Sequence, residues 1–475
     1  MTGQGVRWTA EQVLALAPDD ASRRAGSKLS APGPWSEAGA GTGAVWGMCK
    51  GSGSKPYRTV VDLEGADGVG YKCSCPSRKF PCKHALGLLL LWASGQGEQE
   101  ATGWGDVQPG WAGEWLTGRR ERASDRAAAR SGSAAADDDG DPAARQAAAE
   151  AAQRRSERRV QRIAAGATEL EERLTDLLRG GLAGADQRGY AAWDETAARM
   201  VDAQAPGLAA RVRELGSLPA SGRGDPGAGG GWPERMLSEC ALLHLLNRGF
   251  LALDGLPEPL AATVRTRVGL TVDSAELLAE DAGTDRVRDE WLVLAQRDAE
   301  EGRLTARRIW LRGRASGRPA LLLSYAAAGR APDVALPVGT VFDAELCFYP
   351  GARALRAALG PRHAAADTGF VPEGGTVTEA LAAYGAALCD DPWLEGWPAV
   401  LRDVVPVPGA DGGHGWQVAD AEGEFALPVT PGTSSTALWK LTAISGGAPV
   451  TVFGECGHRG FAPYTAWSGE DAVQL

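Results

Sequence analysis

Twelve residues of this chain, Cys73-Ser-Cys75-Pro-Ser-Arg-Lys-Phe-Pro-Cys82-Lys-His84, hold three of its eight cysteines and one of its five histidines. Three soft thiolates and an imidazole so close together fill the four positions of a tetrahedral zinc ion and leave none for water or substrate, which makes the metal a structural staple. A chance gathering of buried thiols is the alternative, and the scarcity of cysteine elsewhere weighs against it. Spacing also says how the site is built. Residues two apart on a strand share a face, so Cys73 and Cys75 reach one ion from the end of an extended run. Tyr57 to Leu63 alternates apolar and polar residues, Glu64 to Gly68 is turn chemistry, and Val69 to Cys73 returns. Pro76 and Pro81 hold the knuckle open. His84 to Trp92 then reads as a buried helix with His84 in its first turn. The unit expected is ββα, with one structural Zn2+ on Cys73, Cys75, Cys82 and His84.

These residues resemble the SWIM zinc fingers, whose pattern is C-x-C, a variable spacer, then C-x-H. The upstream words from Trp46 to Tyr57 and the run from Cys75 to His84 look like those of a bacterial subfamily of large SWIM-containing proteins. By motif the resemblance covers residues 1–117. It implies DNA or protein as partner, and association with MoxR-type AAA+ ATPases and von Willebrand factor A proteins.

A chain of 475 residues exceeds one ordinary core, and the expected fold is multidomain α+β. The zinc-finger domain takes residues 1–117. Thr9 caps a short helix near its start, and Trp104, Trp111 and Trp115 are expected to pack back onto the finger helix, since so small a unit buries little apolar surface alone. From Gly118 the composition turns to Arg, Ala, Ser and Asp, ending in Asp137-Asp-Asp-Gly-Asp-Pro142, and 118–147 reads as a disordered linker. A helical domain follows over 148–284. It includes a helix from Arg145 to Ile163 and a second begun by a capping box at Thr168 and Glu171. Beyond Asp285 the period becomes two. Strands are expected over Glu290–Gln296, Leu304–Leu311, Ala320–Tyr325, Val341–Tyr349, Trp416–Ala419, Phe425–Val429, Ala437–Ile444 and Pro449–Phe453, with Ala-Glu-Gly and Ser-Gly-Gly as hairpin turns and one helix over Val377–Ala387. Residues 285–475 thus form a mostly antiparallel β-rich domain.

Enzyme signatures fail in context. Gly222-Arg-Gly-Asp-Pro-Gly227 has the letters of a dinucleotide fingerprint but neither the preceding strand nor the following helix. In Gly51-Ser-Gly-Ser-Lys55 a proline stands where a phosphate loop needs Ser or Thr. Neither a Gly-x-Ser-x-Gly elbow nor a His-Glu-x-x-His motif occurs. Cys240 with His244, and Cys456 with His458, supply two ligands each, and read as core thiol plus half-exposed imidazole and as a turn after a strand. A non-enzymatic protein without a small-molecule substrate is expected. Unpaired cysteine usage and the lack of a long apolar run place it in the cytoplasm, off the membrane.

Charge bears on the partner. The finger carries Lys50, Lys55, Arg58, Lys72, Arg78, Lys79 and Lys83 against three acids, in a chain of formal net charge −11. That balance argues against nonspecific nucleic-acid binding by the whole chain and leaves a local phosphate-reading face on the finger. Some of these cations serve equally to offset the anionic Cys₃His centre. A second basic run, Arg303, Arg307, Arg308, Arg312, Arg314 and Arg318 around Trp310, reads as a solvated strand face, or as the far wall of a nucleic-acid groove if it faces the finger. Protein is the expected partner, and DNA at the finger the alternative.

Overall fold

The computed structural model describes residues 7–18, 20–41, 43–51, 55–63, 65, 69–77, 79, 81–95, 107–122, 142–182, 189–221, 231–279, 283, 285–302, 304–327, 332, 334–363, 367–409 and 415–475; the side chains of 11, 15, 20, 142–145, 147–149, 152, 189–192 and 220–221 are left aside. The fold is mixed α+β, with strands and the finger first, helices in the middle and a largely antiparallel β region last.

Two short helices, α1 (Ala10–Ala15) and α2 (Asp20–Ser27), precede a four-stranded antiparallel meander of β1 (Trp35–Gly41), β2 (Ala44–Cys49), β3 (Tyr57–Asp62) and β4 (Gly70–Cys73). Thr9 caps α1 with the reciprocal capping box to Gln12. Alternation along β2 and β3 sorts the core into two layers. Val45 and Val61 pack under α3 (Lys83–Ser94), whose residues from His84 to Trp92 are all buried. Ala44, Trp46 and Val60 point the other way, onto α4 (110–122). Trp111 and Trp115 sit on α4 and therefore pack on the face of the sheet opposite α3, which corrects the expectation that they lie on the finger helix. Trp46 and Val60 present their own apolar surface there, and α4 is what buries it. Trp104 and the turn residues Glu64 and Ala66 to Gly68 lie outside the described residues. A Cβ on Gly87 would lie 2.5 Å from Leu29 Cβ, and one on Gly26 2.7 Å from Leu86 Cβ, so glycine at both positions lets α2 rest against α3.

Of the expected linker, 118–122 belongs to α4, 142–147 opens α5, and 123–141 lies outside the described residues. The helical region is α5 (Pro142–Arg179), α6 (Gly189–Asp202), α7 (Pro206–Ser221), α8 (Trp232–Leu251) and α9 (Glu258–Val268). Its core joins Ile163, Leu170, Met200, Leu208, Val212, Met236, Leu243 and Phe250. The expected break before Thr168 is absent. Thr168 donates its hydroxyl back to Ala164 O at 2.9 Å inside one continuous helix, because Ala-rich flanks favour helix and leave the side chain only the preceding turn to bond. Cys240 is buried and His244 is half-exposed beside Glu171.

After α10 (Ser274–Leu278), strands β5 (Arg286–Glu301), β6 (Leu304–Gly313), β7 (Pro319–Ala327), β8 (Val341–Phe348) and β9 (Arg356–Arg362) close into a barrel in the order β5-β6-β7-β9-β8, with β7 and β9 parallel. Then α11 (Val377–Asp390), β10 (Gly396–Val407), β11 (Gln417–Asp420), β12 (Ala426–Pro428), α12 (Ser435–Ser445), β13 (Val450–Gly457), β14 (Gly460–Ser468) and β15 (Asp471–Gln474) form a six-stranded antiparallel sheet with two helices. The segment 437–444, expected as a strand, lies in α12. Its buried residues Ala437, Leu438, Leu441 and Ser445 follow helical spacing, Ser434 caps Ala437 N at 3.1 Å, and Gly446 ends the helix at φ 56°. Ser445-Gly-Gly447 is thus a helix exit, whereas Ala421-Glu-Gly423 does turn β11 into β12. One face of the sheet carries α11 and α12; on the other, Val400, Phe453 and Trp467 meet Leu292, Leu294 and Trp310 of the barrel wall.

The units are bonded to one another. Gln12 Nε2 donates to Val338 O at 2.9 Å, Trp310 Nε1 to Glu455 Oε1 at 3.2 Å, and Trp393 Nε1 to Leu242 O at 2.9 Å.

Candidate metal centre

Cys73 ends β4, Cys75 follows two residues on, Cys82 occupies the extended N-cap position of α3, and His84 lies in the first turn of that helix. One strand end and one helix start thus converge on a point. The four ligand atoms, three Sγ and one imidazole nitrogen, all lie within 4.8 Å of one another. His84 Nδ1 is the nitrogen turned inward, 3.7 Å from Cys73 Sγ and 4.0 Å from Cys82 Sγ. Zinc bonded at about 2.3 Å to sulfur and 2.0–2.1 Å to nitrogen sets tetrahedral edges of roughly 3.5–3.8 Å. Shortening the widest of these separations by about 1 Å, and the others by less, closes the cluster on the ion. His84 and Cys82 are buried, whereas Cys73 and Cys75 are partly open.

The electrostatics also call for a cation. Cys73 is held down to about 4, chiefly by the hydrogen bond with Cys82 and further by His84, Thr59 and the Cys75 N–H. That same bond and burial push Cys82 up, and burial pushes Cys75 up. Crowded thiols share one negative charge among three, and a dication is what lets all three ionise. Backbone N–H groups of Ser77 and Ala85 serve Cys75 and Cys82, so the knuckle and the helix N-terminus already hold donors for thiolate sulfur.

Residues 57–93 match the model of the SWIM zinc finger, and residues 158–268 match the SWIM-associated four-helix bundle domain. The chain carries a SWIM zinc finger. Its C-x-C pair is Cys73 and Cys75, its C-x-H pair is Cys82 and His84, and one zinc ion fits the four. The second match runs from the middle of α5 to the end of α9. Comparison with curated proteins and with solved structures found no match.

Around the SWIM centre lie residues that sequence reading passed over. Thr59 is fully buried and stands opposite Cys73 in the β3–β4 register, its hydroxyl 3.2 Å from Cys73 Sγ. Tyr57 packs its ring on His84 at 4.8 Å between centroids. Both lie in the alternating run read as strand, where counting back from Cys73 across the hairpin could have placed them. Cys49, read as a scattered thiol, ends β2 opposite Tyr57; burial first, then the neighbouring Cys73, pushes it up to about 11, so it stays protonated beside the ligands. Asp62 is buried with Arg119 at 3.3 Å and Arg120 at 3.0 Å, tying α4 to β3.

Lys50, Lys55, Arg58, Lys72, Lys79 and Lys83 are all exposed, and Arg78 lies outside the described residues. They divide over the SWIM unit. Arg58 lies over Trp111 at 5.9 Å and Lys72 stands opposite Val60, on the α4 face of the sheet. Lys83 adjoins Cys82 on the zinc face.

Of the described barrel arginines only Arg307 is buried; Arg308, Arg312, Arg314 and Arg318 stay partly or fully exposed, as a solvated strand face would have them, but each is paired. Arg307 is buried and makes two 2.7 Å bonds to Asp298, Arg308 pairs with Glu301, Arg314 with Glu290 and Arg318 with Asp285, while Arg312 bonds Glu373 O. Arg303 lies outside the described residues. The acids that neutralise this run sit on β5, the hairpin partner of β6, and at Asp285 just before it, so the run looked uncompensated when read alone.

Cys456 is buried and His458 occupies the β13–β14 turn, its Nδ1 3.2 Å from Tyr384 OH. The residues 222–227 lie outside the described residues.

Proposed function

We propose that this SWIM-finger chain is a non-enzymatic, zinc-stabilised adaptor that holds protein partners in a reducing compartment such as the cytoplasm. The observation that carries the reading is Trp439. Its side chain is 55% exposed while its ring stands edge-on to the buried Trp416 at 5.2 Å, so a large aromatic is braced in solvent on α12. Aromatics of this kind, large and already ordered, anchor protein interfaces. A zinc centre with four protein ligands offers no position for a substrate. None of the eight cysteines is paired in a disulfide, which fits a reducing compartment, and among the described residues no helix is long and apolar enough to cross a membrane.

AAA+ ATPases and von Willebrand factor A proteins are the partner classes that the resemblance implies. Calorimetry of the purified chain with a purified member of each class tests the reading. Saturable binding is expected to at least one, weakened about 30-fold by Trp439→Ala, as befits a central anchor worth about 2 kcal/mol. Absence of binding to both overturns the partner assignment, and unchanged affinity in the variant removes Trp439 as the anchor.

DNA binding through the SWIM finger is the second reading, favoured by the exposure of all six described cations. Their division between two faces of the sheet argues for short contacts from one face at a time, and so ranks this reading below the adaptor.

A further inference from the structure

We propose that the amino-terminal half of α5 is a docking surface for double-stranded DNA, gripped by its phosphates. This goes beyond the adaptor reading and uses none of its residues.

The sequence Gln153-Arg-Arg-Ser-Glu-Arg-Arg-Val-Gln-Arg162 places five arginines within nine positions. At about 100° per residue, Arg154, Arg155, Arg158, Arg159 and Arg162 fall within an arc of about 140°. The residues that α5 buries, Ile163, Ala167, Leu170 and Leu174, are centred roughly 120° away around the same helix. Glu150 and Glu157 fall outside the basic arc. From Gln153 to Arg158 every side chain is exposed, and the first buried residue described on α5 is Ile163. Packing of α5 runs against α6 and α8.

Partners on the arc are few. Arg154 has Glu150 at 3.5 Å, Arg159 bonds Gly269 O at 3.0 Å and Arg162 bonds Gln204 at 2.8 Å. Arg155 and Arg158 have no partner among the described residues, unlike the five described barrel arginines, Arg307, Arg308, Arg312, Arg314 and Arg318, each of which has one. Three like-charged i,i+4 pairs, Arg154 with Arg158, Arg155 with Arg159 and Arg158 with Arg162, weaken the helix until an anion sits across them. Farther along, Glu169 pairs with Arg173 and the cationic surface ends.

The shape selects the occupant. Arg154 to Arg162 spans about 12 Å along an α-helix of about 10–12 Å diameter. The major groove of B-form DNA, about 12 Å wide, admits such a helix, while the deep, narrow major groove of duplex RNA does not. Guanidinium groups on both flanks of the arc then reach the phosphates of the two strands, in the bidentate geometry that arginine offers and lysine does not. A chain of net charge −11 makes this local and short-ranged, so binding depends on the arc and not on the whole surface.

The test uses the full-length, zinc-loaded chain and a fluorescein-labelled 20-base-pair DNA duplex, read by anisotropy. For three to five phosphate contacts, affinity is expected to fall about 40- to 500-fold between 50 and 200 mM salt. Arg154→Gln with Arg155→Gln and Arg158→Gln is expected to lower affinity at least tenfold, with zinc content and circular dichroism unchanged because none of the three is buried. Arg58→Glu with Lys72→Glu on the SWIM finger is expected to leave binding intact. The proposal is overturned by no DNA binding at 50 mM salt, by a triple variant that binds like the parent, or by equal competition from duplex RNA or polyglutamate. Binding abolished only by the finger variant also overturns it, moving the site to the SWIM unit. A failed adaptor assay bears on none of these outcomes.

Discussion

At the scale of single residues, the zinc ligands are only the inner layer of the centre. Thr59 has one atom to offer Cys73, a hydroxyl that donates once the sulfur is a thiolate, and full burial leaves that hydroxyl no water to prefer. A hydrogen bond to a charged acceptor contributes about 1.5–3 kcal/mol. Thr59→Val, which keeps the shape and removes the donor, is expected to lower zinc affinity 10- to 100-fold in competition with a chromogenic chelator, and Thr59→Ser to restore most of it. Shifted sulfur-to-metal charge transfer in the cobalt-substituted Val variant would accompany the loss. Equal affinity in the two variants would reduce Thr59 to a packing residue. Cys49, close by and protonated, lacks the geometry of a fifth ligand: the tight cluster of donors contains only the other four.

At the scale of elements, the loop between α11 and β10 enters the helical bundle. Trp393 is 4% exposed and counts among the bundle's core residues, and Arg267 at the end of α9 grips Asp391 beside it. The SWIM-associated bundle is completed by a residue more than a hundred positions past its own sequence. Trp393→Ala is expected to cost about 3–5 kcal/mol, seen as a lower urea midpoint for the helical signal. An unchanged midpoint would mean that the loop merely rests on the bundle. Strand β10 teaches a related point. Pro398 and Pro406 argue against a central strand when read in sequence. Yet Gly396 to Leu401 pairs with β13 and is bridged on its other side only by Gly375 at Leu401, and of the last four residues Val404 alone pairs on both sides while Val405 to Val407 pair only with β11. Each proline therefore has one open flank, and a strand that changes partners midway accommodates both. No local pattern announces such a change. In α12, by contrast, the information was present: Ser434 and the i, i+1, i+4 spacing of Ala437, Leu438 and Leu441 mark a helix, and β-like neighbours on either side obscured it.

For the whole molecule, the question is how far the loss of zinc travels. Structural zinc contributes about 10–16 kcal/mol to small metal-dependent units, more than the core between α3 and its sheet supplies alone. Cys82→Ser is expected to strip zinc and melt β2 to β4 and α3. The segment 334–340 should loosen as well, because Ala335 shares the core of Trp8, Val13 and Leu16, and Val338 accepts from Gln12. Helices α7 to α9 should hold, since their contacts run to one another, to α5 and to Trp393. Hydrogen exchange by mass spectrometry reads all three regions at once. Retained protection in α3 of the zinc-free variant would show that the metal is not required for folding, and loss across α7 to α9 would show a tighter union than these contacts imply.

Cysteine and histidine spacing alone determined the metal, its four ligands and the ββα path that carries them, because a tetrahedral ion imposes a local geometry that twelve consecutive residues satisfy. Periodicity likewise ordered the chain into finger, helices and β region, since amphipathic repeats are properties of neighbouring residues. What only the tertiary structure decided is what lies far apart in sequence and close in space. Glu290 and Asp285 meet Arg314 and Arg318 across 24 and 33 residues; α4 covers the back of the finger sheet; the β region divides into a closed barrel and a six-stranded sheet. The arginines of α5 show the converse. Their single face is a consequence of 3.6 residues per turn, legible in principle, but that it stays uncovered depends on where the rest of the chain packs.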